Sequence, residues 1–296
     1  MRLLAFALLG LAALVAAGLI VTWPATTSPE EISGIEPDLD RGAQVFAVAG
    51  CASCHAADEA EGEARRILTG GHRLVTPFGT FVAPNISQDV DHGIGAWTRA
   101  EVVSAIMHGT SPDGRHYYPA FPYAAYGKAD LVDIVSLAAY LETLPADATP
   151  SEPHDLKFPA NIRAGVGLWK LVNVTRDWVV SVPQDDPKLL RGRYLAEALG
   201  HCGECHTPRT LMQGLDVTRW FAGAPNPSGR GSIPNISPSR LDWSHDDIVA
   251  YLTTGFTPDF DVVGGTMTAV VAELKTLPAE DIDALAAYLK SVPASQ

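Results

Sequence analysis

The spacing of hydrophobic side chains predicts an amphipathic helix at the end of each half of the chain. Residues 131–144 and 282–292 repeat apolar positions three and four residues apart, and both segments contain the tetrapeptide Ala-Ala-Tyr-Leu. The two-residue alternation that marks strands is nearly absent. This pattern predicts an all-α protein whose two halves are built alike and joined through long loops.

Two further helices are predicted from the residues that begin them. Thr98 is followed three positions later by Glu101, and Ser244 is followed in the same way by Asp247, which is a helix-capping pattern. The tetrapeptide Pro-Asn-Ile-Ser also occurs twice, at residues 84–87 and 234–237. Because each repeated unit spans about a hundred residues, the pattern indicates a tandem duplication of domains and not a solenoid.

The first segment predicts an N-terminal membrane helix. Residues 3–21 contain no charge, Arg2 precedes them, and Trp23 follows at a position that suits a membrane interface. A cleaved export signal is the alternative, although the apolar core of such a signal has only about 7–15 residues. In both cases the bulk of the chain is exported, so the predicted location is the bacterial inner membrane with the soluble part in the periplasm.

These patterns divide the chain into five segments. The predicted segments are an anchor or signal sequence at 1–25, a linker at 26–37, a first domain at 38–147, a connector at 148–187 and a second domain at 188–296. The net charge of −13 excludes a nucleic-acid partner, because phosphate binding requires a basic surface.

The candidate chemistry lies in a Cys-x-x-Cys-His motif that occurs twice, at residues 51–55 and 202–206. This motif attaches c-type haem: its two thiols form thioether bonds to the haem, and the imidazole that follows binds iron as proximal ligand. A redox-active or zinc-binding cysteine pair would not explain the two histidines. The prediction is therefore two covalently attached haem c groups. The predicted attachment residues are Cys51, Cys54, His55, Cys202, Cys205 and His206.

Several segments carry a family resemblance. They include Thr76-Pro77-Phe78-Gly79, Pro84-Asn85-Ile86, Tyr118-Pro119-Ala120-Phe121-Pro122-Tyr123 and Gly200-His201-Cys202. Together they resemble the cytochrome c subunits of bacterial membrane-bound dehydrogenases, such as those of alcohol dehydrogenase, gluconate dehydrogenase and some molybdenum hydroxylases. The resemblance implies two class I-like cytochrome c domains in tandem. It also implies electron transfer from a dehydrogenase or quinol-linked complex to a terminal oxidase or soluble cytochrome.

The distal iron ligands differ between the two halves. When the halves are aligned on Asp113 and Asp259, the eighth residue beyond is Phe121 in the first half and Met267 in the second. The resemblance places the distal methionine at the same two positions, so Met267 is the predicted distal ligand of haem 2. Haem 1 has no such methionine and is predicted to have the lower potential. Its candidate ligands are His116 (tentative), His72, His92, His108 and Met107, with an open site as the other alternative.

The main prediction is an electron-transfer protein and not an enzyme. The alternative is a haem enzyme, in which an open coordination site at haem 1 reduces peroxide or oxidises a sulfur compound. A third alternative is an anchoring or assembly subunit whose haems are secondary. The sequence shows no Ser-His-Asp arrangement and no phosphate-binding glycine loop, which favours the carrier.

Overall fold

The computed structural model describes residues 2–229 and 231–295, except for the side chains of residues 2–5, 7, 11, 14, 15 and 19. Its α-helices are α1 (Arg2–Val21), α2 (Pro29–Ile32), α3 (Leu39–Val48), α4 (Cys51–His55), α5 (Arg99–His108), α6 (Tyr123–Tyr126), α7 (Leu131–Leu141), α8 (Gly165–Asn173), α9 (Pro187–Tyr194), α10 (Gly203–His206), α11 (His245–Thr254), α12 (Met267–Leu274) and α13 (Ala279–Ser291). A π-helical turn at Leu195–Leu199 continues α9. The strands are β1 (Arg73–Thr76), β2 (Gly79–Val82), β3 (Asp155–Leu156), β4 (Ala224–Pro225) and β5 (Ser232–Ile233).

The predicted helix starts at residues 98 and 244 are confirmed. Thr98 Oγ1 accepts a hydrogen bond from the Glu101 amide, and the Glu101 carboxylate accepts one from the Thr98 amide at 2.7 Å. Ser244 and Asp247 form the same pair of bonds at the start of α11. Both helices end at a glycine in the left-handed conformation, which satisfies the last carbonyl groups without steric cost.

The prediction of an all-α fold is wrong, because five short strands form two sheets. Strands β1, β2 and β3 make an antiparallel sheet, and β4 pairs with β5. Gly79 permits the first sheet: its φ is +116°, and a Cβ there would lie 2.2 Å from the Asp155 carbonyl oxygen on β3. Strands of two to four residues are too short to show the alternation by which a strand is recognised in a sequence.

The predictions of an N-terminal membrane helix and of an inner-membrane location are also wrong. Among the residues that the structure describes, no helix is long and apolar enough to cross a membrane. The prediction that residues 3–21 bind the protein to a membrane is wrong for the same reason.

Each half contains an equivalent pair of crossing helices. Helix α3 crosses α7 so closely that a Cβ on Gly42 would lie 2.2 Å from the Ser136 carbonyl oxygen. Helix α9 crosses α13 in the same way, with Gly192 against Ala284 at 2.0 Å. Glycine is required at both crossings because backbone lies directly against backbone.

An ion pair accompanies each crossing, and the two pairs face each other across the contact between the halves. Arg41 binds Asp133 at 2.9 Å, and Arg191 binds Asp281 through both of its carboxylate oxygens at 2.7 Å. A cavity of about 310 Å³ lies between these pairs and is lined by residues of both halves. Tyr194 donates its hydroxyl hydrogen to Asp133 and so joins one pair to the other half.

Candidate functional site

The first Cys-x-x-Cys-His motif forms the short helix α4, which begins directly after Gly50 in the left-handed conformation. One turn of helix places both thiols on the same side of the backbone and ends at His55. Burial, followed by the charge of Cys54, raises the pKa of Cys51 to about 12. Among the described residues, no group of His, Cys, Asp and Glu is arranged to hold a metal ion directly. The surroundings suit uncharged thioethers better than the thiolates that a zinc site needs.

Each motif histidine is oriented by a carbonyl group from the repeated Pro-Asn-Ile-Ser segment. Nδ1–H of His55 donates to the Pro84 oxygen at 2.9 Å, and Nδ1–H of His206 donates to the Pro234 oxygen at 2.8 Å. Because a carbonyl can only accept, each Nδ1 carries the hydrogen and each Nε2 keeps its lone pair for a metal. The residues present therefore fit a haem c iron at both motifs. Sequence reasoning missed this role, although the repeated tetrapeptide was its signal.

The asparagine of each tetrapeptide holds the proline carbonyl in place. The Asn85 side chain accepts a hydrogen bond from the Ser87 amide and donates to the Asp147 and Thr149 carbonyl oxygens, all at 2.8 Å. Asn235 makes the corresponding turn and donates to Ser295 at 3.1 Å. Each turn thereby connects the motif histidine to the end of its own half of the chain.

Trp220 covers the second motif. A Cβ on Gly203 would lie 2.0 Å from this indole, so only glycine fits in the middle of the motif. Trp220 also stacks on Phe221 at 4.6 Å between ring centroids and donates to the Tyr288 hydroxyl at 3.3 Å. On the side away from Gly203, the indole is therefore held by a buried aromatic cluster.

The loops that carry Phe121 and Met267 have the same backbone hydrogen bonds. A β-bridge joins Thr110 to His116 in the first half, and a bridge joins Phe256 to Val262 in the second. Each bridge is equally far from its distal position in the sequence. Phe121 and Met267 thus follow corresponding loops at the same distance in the sequence, and Met267 is partly buried at the start of α12. Ligation by Met267 stays a prediction.

Phe121 lies beside the first haem motif. Its ring is 5.8 Å from that of Tyr126, whose hydroxyl donates to the Ala49 carbonyl oxygen at 3.1 Å, two residues before Cys51. Rings of Tyr117 and Tyr123 complete an aromatic cluster around Phe121, at 6.1 and 6.3 Å. Phe121 is therefore partly buried against three tyrosine rings.

The structure places His116 away from this cluster. Its Nε2–H donates to the Thr22 carbonyl oxygen at 2.8 Å, and α8 packs over it at Gly167. The corresponding residue of the second half, Val262, is 62% exposed, whereas His116 is partly buried and its Nδ1 has no hydrogen-bond partner among the described residues. Burial lowers the pKa of His116 and favours the neutral ring. Ligation of haem 1 by His116 stays a prediction.

The remaining candidates for haem 1 are bound elsewhere or exposed. His72 contacts Asp58 at 2.7 Å, His92 is exposed, and Met107 lies in the buried face of α5. The ring nitrogens of His108 contact Thr27 at 3.1 Å and Arg176 at 2.9 Å. None of these side chains is brought to the position of Phe121.

The two motifs approach each other at the contact between the halves. Burial, followed by the charge of Cys205, raises the pKa of Cys54. His201 precedes the second motif and donates through Nε2 to the Ala49 carbonyl oxygen at 3.3 Å. Its ring also packs on Tyr126 at 5.5 Å. The residues before the second motif therefore contact those before the first.

Comparison with known proteins places both halves in related families. The family model for cytochrome c matches residues 39–145, and the model for subunit III of cbb3-type cytochrome c oxidase matches residues 187–289. The chain is 54% identical to a dihaem c-type cytochrome of Cereibacter sphaeroides, over 94% of each chain. These matches agree with two haem-binding domains.

Longer relatives belong to dehydrogenases. The chain is 38% identical to the fructose dehydrogenase cytochrome subunit of Gluconobacter japonicus over 90% of this chain and 55% of that protein. It is 32% identical to the gluconate 2-dehydrogenase cytochrome c subunit of Pantoea cypripedii over 86% of this chain and 60% of that one. The chain thus spans little more than half the length of these two subunits. Their similarity confirms the resemblance recognised in the sequence.

Proposed function

Because the chain belongs to the dihaem cytochrome c family and carries two haem c groups, we propose that it is a periplasmic electron carrier. It takes electrons from a dehydrogenase or quinol-linked complex and delivers them to a terminal oxidase or a soluble cytochrome. Haem c, when bound, supplies reversible one-electron oxidation and reduction of its iron. The observation that carries the proposal is the repeated bond from a motif histidine to a proline carbonyl, at 2.9 and 2.8 Å.

The chain's own residues hold each cofactor in a fixed orientation. His55 and His206 present Nε2 because Pro84 and Pro234 occupy Nδ1. Fixed imidazoles keep the surroundings of the iron similar in both oxidation states, so little structural rearrangement accompanies electron transfer. Met267 is proposed to add a thioether ligand in the second half, which raises the potential there.

The choice of a dehydrogenase as donor rests on the relatives. The fructose and gluconate dehydrogenase proteins to which the chain is similar are cytochrome subunits of those enzymes, which favours a carrier over a haem enzyme. The net charge of −13 favours partners with basic docking surfaces. Opposite charges on the two proteins increase the rate of encounter, and salt reduces that increase.

The test is reduction by a dehydrogenase. A fructose or gluconate dehydrogenase prepared without its own cytochrome subunit is mixed with the haem-loaded protein and its sugar substrate, and the haem α band is followed. Reduction is expected at a rate that falls as ionic strength rises. Failure of the enzyme to reduce a protein that dithionite does reduce would overturn the choice of donor. A carboxy-terminal reporter enzyme that works only in the periplasm checks the placement separately.

A further inference from the structure

We propose that haem 1 has no sixth ligand from the protein and is a binding site for a small neutral diatomic molecule. The inference rests on the proposed function only in requiring that haem be attached at the first motif. It goes beyond electron transfer, because a carrier whose two irons are both fully ligated by protein binds no such molecule.

The first argument is the identity of the residue at the distal position. The two loops have corresponding backbone bonds over residues 109–117 and 255–263, and four residues beyond them the first half has Phe121 where the second has Met267. A phenyl ring has no lone pair to donate to iron. Phe121 is held in this place by three tyrosine rings with centroids between 5.8 and 6.3 Å away, so it is part of a packed cluster.

The second argument is that the nearby nitrogen and sulfur donors are directed elsewhere. The Nε2–H of His116 donates to the Thr22 carbonyl oxygen and the ring packs against α8 at Gly167, while its buried Nδ1 has no hydrogen-bond partner among the described residues. His108 lies between Thr27 and Arg176, and Met107 is buried in α5. Bringing any of them to iron would require breaking these contacts.

The third argument concerns the hydroxyl groups of the same region. Thr110 and Tyr123 are buried, with 0% and 1% of their surfaces exposed, yet neither hydroxyl has a hydrogen-bond partner in the described part of the chain. Both residues flank the loop that carries Phe121. Buried hydroxyls without partners are uncommon, because each costs free energy unless something polar binds there. Together with the apolar rings, they favour a small, weakly polar guest over an anion.

Carbon monoxide is the probe that tests the proposal. The dithionite-reduced protein, with two haems per chain confirmed by pyridine haemochrome, is titrated with carbon monoxide and its Soret band is recorded. One molecule is expected to bind per chain. Binding of none, or binding of two with equal affinity, would overturn the proposal without affecting the electron-transfer assignment, which rests on reduction by a dehydrogenase.

Single-residue variants show which position controls the binding of carbon monoxide. Phe121→Met should reduce binding from one carbon monoxide per chain to none and add a sulfur-to-iron charge-transfer band in the oxidised protein. Phe81→Met makes the same chemical change outside the distal loop and should leave binding at one. His116→Ala should also leave it unchanged. A wild type that binds nothing and a His116→Ala variant that binds one would identify His116 as the ligand and refute the proposal.

Discussion

At the scale of single residues, one carbonyl group decides which nitrogen of each motif histidine is free. The motif itself is local and is recognisable from five consecutive residues. The bonds that orient its imidazole reach 29 residues along the chain in the first half and 28 in the second. No local pattern predicts such a contact. The sequence therefore predicted that His55 and His206 belong to the haem sites, but not that Pro84 and Pro234 orient them.

Substitution of Asn85 tests this second layer of the site. Asn85→Ala removes three hydrogen bonds around a buried side chain and leaves the Thr149 carbonyl group without its side-chain donor, whereas the Asp147 carbonyl keeps the Ser87 hydroxyl. We expect a loss of about 2–3 kcal/mol in the free energy of unfolding. Asn235→Ala, at a less buried position, should cost less. Equal losses in urea titrations of the two variants would contradict this account.

Substitution of Met267 tests the predicted ligand of haem 2. Met267→Ala should remove the near-infrared sulfur-to-iron band of the oxidised protein and lower one of two reduction potentials, while both haems stay attached. Met212→Ala is the matched control, because that side chain is 57% exposed. A band that survives in Met267→Ala would show that Met267 is not the ligand.

At the scale of elements, the sequence was informative where the determinants are local. The capping pairs that begin α5 and α11 span four residues each, and both helices begin where those pairs predict. Strand β3 forms only because residues 155 and 156 return to β2, more than seventy positions after it. Its two residues carry no pattern of their own, so a prediction from periodicity could not include the sheet.

Gly79 provides the test of that sheet. Gly79→Ala would place a Cβ against the Asp155 carbonyl oxygen and force alanine into a φ of +116°. We expect a loss of about 2–3 kcal/mol and release of β3. Gly71→Ala is a matched control, because Gly71 also has a positive φ but faces open space. If both variants lose equal stability in thermal unfolding, backbone strain alone explains the effect and the pairing of β3 contributes little.

At the scale of the whole molecule, the connector is held to the first half by Lys170. Its ammonium group donates to the His108 and Gly109 carbonyl oxygens at 2.7 and 2.8 Å and lies 4.4 Å from the centre of the Tyr123 ring. Burial lowers the pKa of Lys170 to about 8. The connector helix α8 is therefore joined to the loop that carries Phe121 by a group whose pKa is about 8.

This lowered pKa predicts how stability changes with pH. An unfolded lysine keeps its proton up to a pKa of about 10.4, so between about pH 8 and that value the unfolded chain binds more protons than the folded one. Stability should rise with pH across this window. Lys170→Met should reduce the slope, whereas Lys275→Met, at an exposed position, should not. Urea midpoints measured at several pH values in this window decide the matter, and equal slopes in wild type and Lys170→Met would refute it.

The cavity between the two halves indicates how this two-domain chain arose. Arg41 with Asp133 and Arg191 with Asp281 are the same pair in each half, and both pairs line one cavity. A surface that meets its own counterpart in this way is the isologous contact of a twofold symmetric dimer. The chain thus has the form of an ancestral homodimer whose two subunits were fused into one gene. Fusion releases two copies from identical sequence, and the halves now differ at aligned positions such as Phe121 and Met267.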